Sequence, residues 1–315
     1  MLQTSKASSR RSGRWAGLLG VWLSCASCGP QTGVVGREPG PSGSAGGSSK
    51  APTYRTDFDA NGGEWQAETA IDGASTDFGV SLVGANDSST AELRFPGHTN
   101  DPASVKVGPK YRAQIGSTRS FGFGTYRTRL QFGACRPNED VVSAALGYFR
   151  DETDANQNGL IDDEEIDIQV LCGTPRRLYL TVFTDYDSDT QFRKLARAID
   201  FTSGAIYDTL APDRDAFMLV DNVPAWVRPE LFAENAFYVL GFEWHAQSLR
   251  FFIQLDGVEQ TLWTLDDAAR IPQRPIAFLY NLWHTDAHWY PDSSAAAFPA
   301  ADVLMHVDWF EFYAE

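Results

Sequence analysis

Long apolar runs are missing from this 315-residue chain. The longest, Trp15 to Leu23, covers nine residues, well short of the about 20 that a membrane-spanning helix needs. Basic side chains are scarce too: 26 Lys and Arg stand against 41 Asp and Glu, for a net charge of −15. Residues 1–24 hold Lys6, Arg10, Arg11 and Arg14 and no acid, so the remainder is more acidic still. Such a body excludes nucleic acid as a partner, because phosphate binding needs a basic face. It equally excludes a polybasic membrane-surface protein. Helical periodicity is rare, with short candidates only at Ala225–Glu234 and Leu265–Arg270. What is plentiful is aromatic residues (13%), with 27 Gly and 16 Pro. That mixture disfavours both disorder and a coiled coil, leaving a soluble, exported, sheet-rich domain.

The basic start followed by the short run at 15–23 fits a signal peptide, and Arg10-Arg11 is a weak twin-arginine cue. Leu23-Ser24-Cys25-Ala26-Ser27-Cys28 then resembles a bacterial lipobox, in which a Cys after small residues is acylated. Cys25 is taken as the lipidated residue, with Cys28 as the alternative and ordinary signal cleavage as the plainer reading. Residues 29–52 are Gly, Ser and Pro with little apolar content and read as a flexible tether. The expected organisation is therefore a signal segment over 1–28, a tether over 29–52 and one domain over 53–315. The protein is expected in the cell envelope as a lipoprotein, or secreted, and as a monomer. In an oxidising compartment Cys135 and Cys172 are expected to be bridged. Neither lies in a Cys-x-x-Cys pair, which removes zinc.

From Ala51 onward apolar residues recur with a period near two in short runs, as at Ala91–Phe95, Tyr126–Leu130, Leu178–Val182 and Phe237–Phe242. Turn residues separate them, and Asp256-Gly257 between Phe251–Leu255 and Val258–Trp263 is a strong hairpin signal. Many strands without intervening helices predict an all-β fold, a sandwich or jelly roll. Within it, Glu165-Ile166-Asp167-Ile168-Gln169-Val170 carries the most information. On a strand, residues 165, 167 and 169 share one face and the three aliphatics the other. Two carboxylates and an amide on one face suit a solvated groove; an exposed strand with a polar outer side is the bland alternative.

At this point the chain resembles glycoside hydrolase family 16, the concave β-jelly-roll enzymes that include lichenases, laminarinases and agarases. The resemblance rests on Glu165-Ile166-Asp167-Ile168, on Gly122–Leu130, on Phe242-Glu243-Trp244 followed by Leu249–Phe252 and Asp256-Gly257, on Asn281-Leu282-Trp283, and on Val307–Tyr313, in that family's order. It covers nearly all of residues 55–315. It implies a concanavalin-like sandwich of two antiparallel sheets and a β-linked glucan or galactan as partner. It also implies a retaining mechanism with Glu165 as nucleophile, Asp167 supporting it, and the acid/base at 169. That position is Gln169, or Val170 in the family's other spacing. An amide has no proton to give, and general acid catalysis is worth roughly 10²–10⁴-fold. Whether the chain is an active endo-β-glycosidase thus stays open. It is either a glycan-binding surface protein that has kept the groove, or a hydrolase with an acid from elsewhere, such as Asp185 or Asp187. A third option is an enzyme for substrates whose leaving group needs little protonation. A purely structural surface lipoprotein would instead fill the groove with its own side chains.

Two further constellations stand out. Residues 154–165 match the twelve-residue EF-hand loop pattern. Calcium is expected on Asp154, Asn156, Asn158, the Leu160 carbonyl and Asp162, with Glu164 or Asp163 as the last ligand, since Glu165 is needed for chemistry. The alternative is a plain polar hairpin turn. Residues 283–290 then gather Trp283, His284, Trp289 and further polar and aromatic groups. With Asn281, these are expected to form the sugar platform, since sugars stack apolar faces on Trp. Trp244, Trp263 and Trp309 are expected in the core. His98, His245 and His306 offer nothing beyond satisfied surface or core residues.

Overall fold

The computed structural model describes residues 50–315 apart from 83–84, 86–88, 98–104, 135, 137–138, 140, 173–176, 189–190, 202, 212–215, 223–235 and 286–296. The signal segment, nearly all of the tether and the helical candidate at 225–234 therefore lie outside the described residues. The second helical candidate is a single 3₁₀ turn, Ala268–Arg270, after the preceding strand ends at Leu265.

Alternation drives the architecture: residues of one parity bury and those of the other meet solvent, so two sheets close on one core. The first sheet contains β1 (Tyr54–Thr56), β3 (Ser75–Val80), β4 (Thr90–Phe95), β6 (Gly124–Gln131), β13 (Tyr238–His245), β14 (Ser248–Leu255), β15 (Val258–Leu265) and β17 (Val303–Ala314). Its order is β15-β14-β13-β6-β17-β4-β3, with β1 on β17. The second contains β2 (Trp65–Thr69), β5 (Arg112–Phe121), β7 (Val141–Arg150), β8 (Asp163–Leu171), β9 (Arg177–Ser188), β10 (Gln191–Asp200), β11 (Ala205–Thr209), β12 (Phe217–Asn222) and β16 (Ile276–His284). Its order is β12-β11-β10-β9-β8-β7-β16-β5-β2. Paired strands run antiparallel, β7 against β8 and β8 against β9 included.

Aromatic rings fill the space between the sheets. Tyr126 stacks on Phe242 at 4.5 Å, and Phe278 meets Phe310 at 4.5 Å. Trp244, Trp263 and Trp309 are buried as expected, and the Trp244 indole N–H donates to Pro272 O at 2.8 Å. Gly241 is fixed by packing, because a Cβ there would lie 1.8 Å from Tyr126 O. The Asp256-Gly257 hairpin forms between β14 and β15, both residues at positive φ (52° and 78°), as its two-residue turn requires. Cys172 is disulfide-bonded; Cys135 lies outside the described residues.

Candidate functional site: a carboxylate ladder on one strand

Ile166, Ile168 and Val170 of β8 enter the core, so Glu165, Asp167 and Gln169 face outward from the nine-stranded sheet. Asp163 has the same parity and extends the row by one pleat. Cross-strand register sets the neighbours. Tyr148 of β7 and Phe183 of β9 flank Glu165, and Lys194 of β10 lies beyond Phe183. Leu146 and Thr181 flank Asp167, while Ala144 and Tyr179 flank Gln169. The Lys194 ammonium leans over Phe183 at 5.8 Å and Phe192 at 5.1 Å.

Glu165 and Gln169 keep partial solvent contact, whereas Asp163 and Asp167 are 2% and 1% exposed. Burial and like charge dominate the electrostatics. The Glu165 carboxyl is set deep; burial, then the charges of Asp167 and Asp163, hold it well above the usual carboxylate range. Burial pushes Asp167 to about 8 against the pull of Glu165 and Lys194. Burial likewise raises Asp163 to about 7, although Arg150 and Tyr148 favour its charge. Gln169 Nε2 donates to Asp167 Oδ2 at 3.3 Å. Chemically this is a compact, proton-rich set of carboxyls held deep in the sheet face.

Tyr148, Phe183 and Lys194 were not singled out from the sequence. Their placement beside Glu165 depends on strand register, which alternation alone does not give.

The expected sugar platform is redistributed. Trp283 and Asn281 share the outer face, but Trp283 is 7% exposed, packed with Val142, Leu171, Tyr179 and Phe217 in a cluster of its own. His284 is corrected. It has the parity of Tyr280 and Leu282, turns toward the core, is 1% exposed and packs edge-on against Phe298. One residue of strand periodicity separates it from the groove. Trp289 lies outside the described residues. A cavity of about 780 Å³ lined by Asp72, Lys106, Tyr111 and Phe298 sits at the β2 edge and includes none of the ladder residues.

The loop joining β7 to β8 closes on itself. Asp154 accepts from the N–H groups of Asn158 and Gly159, Asn156 Oδ1 from Asn158 N–H, and Asn158 Oδ1 from Leu160 N–H. Asp162 pairs with Arg274 at 2.6 Å and accepts from Ala155 N–H. Glu164 turns away to accept from the N–H groups of Gln273 and Arg274, both at 2.9 Å. Of the expected calcium ligands, Glu164 thus meets backbone N–H groups and Asp162 a guanidinium. Among the described residues no three His, Cys, Asp or Glu gather as a metal site.

No family model matches the chain, and no curated protein matches it. Solved structures do. The catalytic domain of an endo-1,3-beta-glucanase (laminarinase) from Thermotoga petrophila RKU-1 aligns with a TM-score of 0.50 at 13% identity, covering 84% of this chain and 98% of that one. A Bacillus licheniformis beta-glucanase aligns with a TM-score of 0.49 at 15% identity, covering 84% and 99%. The likeness at these identities is one of fold: the chain is a two-sheet antiparallel β-jelly roll, as that laminarinase domain is.

Proposed function

We propose that the chain acts on a β-linked polysaccharide, a glucan or galactan, laid across the outer face of the nine-stranded sheet, with Glu165 as nucleophile of a retaining reaction and Asp167 as its support. The observation that carries this reading is the row of acids on β8 with Glu165 between two rings, Tyr148 and Phe183. A pyranose ring stacks on such rings while its hydroxyls meet carboxyls and amides. Asp167, buried beside Glu165, shares its proton and steers which Glu165 oxygen stays basic. Export and lipid anchoring at Cys25 belong to the same proposal and rest on the first 28 residues. The alternative, a glycan-binding protein without turnover, is favoured by one observation: the amide at Gln169 already bonds Asp167.

Product release from β-glucans, agar and carrageenan separates the two. The active reading expects reducing ends from the wild type and none from Glu165→Ala, with binding retained. Release only by Gln169→Glu, and none by the wild type, would make binding the natural role.

A further inference from the structure

A second carboxyl within reach of Glu165 is what the proposed reaction lacks at position 169. Three acids near the start of β8 come into question. Asp185 accepts from Asn156 Nδ2 at 2.9 Å and Asp187 from Ile161 N–H at 2.7 Å, so both tie β9 to the hairpin loop. Asp163 is held differently. Its Oδ1 is buried without a hydrogen-bond partner, and its Oδ2 meets only Arg150 Nη1, at a long 3.5 Å. The charged and titratable groups facing it are Tyr148 and Arg150 of β7, Glu164, Glu165 and Asp167 of its own strand and Asp187 of β9. The Tyr148 hydroxyl lies close enough to favour its charge yet forms no hydrogen bond within 3.5 Å.

We propose that Asp163 is the proton donor of this site, so that the working pair is Asp163 with Glu165, one pleat earlier than the pair implied by the family motif. The inference rests on Glu165 being the nucleophile. Residues two apart on a strand lie about 7 Å apart at Cα, and side-chain lean closes that to the about 5–5.5 Å of a retaining pair. Arg150 covers the Asp163 carboxyl with loose contacts only: 3.5 Å to Asp163 and 3.6 Å to Glu152, its Nε without a hydrogen bond. A glycosidic oxygen entering beside Glu165 displaces that guanidinium and takes its place against Asp163.

The step balances. With the proton that Glu165 and Asp167 share held on Asp167, a Glu165 carboxylate oxygen attacks C1 and forms an ester; the bond from C1 to the leaving oxygen breaks with its electron pair, and Asp163 delivers its proton to that oxygen. Water then adds to C1, giving its proton to the Asp163 carboxylate, and the ester bond breaks to restore Glu165.

The test compares substrates that differ in their need for the acid. For Asp163→Asn, kcat/KM on an unsubstituted β-glucan is expected to fall by about 10²–10⁴-fold. A dinitrophenyl β-glycoside, whose phenolate leaves unprotonated, keeps its first-step rate, and azide speeds turnover by capturing the glycosyl-enzyme. Equal losses on both substrates with no azide effect would overturn the proposal. So would the leaving-group signature appearing in Asp187→Asn and not in Asp163→Asn. Failure of the underlying reading looks different: Glu165→Gln would then retain the dinitrophenyl substrate. If Asp163→Asn does not fold, Asp163→Gln against Asp163→Glu, alike in size but not in proton, gives the same contrast.

Discussion

At the scale of residues, three carboxyls on one face of one strand are a cost that the fold sustains at the site. Burial lifts Asp163 and Asp167 from the ordinary 3.8 to about 7 and about 8, so the native state binds protons that the unfolded chain has released. Where the native state binds more protons, stability falls as pH rises. The contribution is fully present below about 4 and is lost as pH climbs through 7 and 8. Thermal melts are expected to give a lower melting temperature at pH 8 than at pH 5, with a smaller difference in Asp163→Asn. A melting temperature that rises with pH would contradict the buried, proton-holding ladder. Glu165, Asp167 and Gln169 were legible from alternation. Asp163 has the same parity, but in the sequence it falls inside the metal-loop pattern; which neighbours face it, and that its Oδ1 has no hydrogen-bond partner, depend on register.

At the scale of elements, the β7–β8 hairpin carries its loop back over the sheet, and Arg274 clamps it. Its guanidinium reaches Asp151 at 2.8 Å and Asp162 at 2.6 Å and lies 5.2 Å from the Phe149 ring centroid. Short side chains at 154, 156 and 158 bond the loop backbone, as Asx turns do. Arg274 offsets only part of the charge of the six acids between Asp151 and Glu164, so the loop stays acidic. Calcium on Asp154, Asn156 and Asn158 stands as a proposal: a melting temperature that rises by several degrees with the ion, the usual mark of ligand linkage, would support it, and no shift with calcium or chelator would remove it. The spacing of oxygens was visible in the sequence. That Arg274, more than a hundred positions away, occupies Asp162 was not, since no local pattern encodes a long-range ion pair.

For the whole molecule, the outer face of the nine-stranded sheet is divided. One part holds the ladder with Tyr148, Phe183 and Lys194; the other holds the closed cluster around Trp283 and Tyr179. Trp283→Ala is accordingly expected to cost about 3–5 kcal/mol of stability, as large-to-small core changes do, read by urea unfolding. Weaker glycan binding with unchanged unfolding would show instead that the ring meets sugar.

The sequence by itself determined the all-β class, the inward face of β8, the Asp256-Gly257 hairpin and the buried tryptophans. Each follows from a period of two or from a two-residue turn, and both are local. Only the tertiary structure decided that His284 turns inward, that Trp283 is enclosed, that Asp185 and Asp187 serve the loop and that Asp163 is left with an unpaired oxygen. Those facts depend on register and on contacts between distant segments, where burial and charge act through space rather than along the chain.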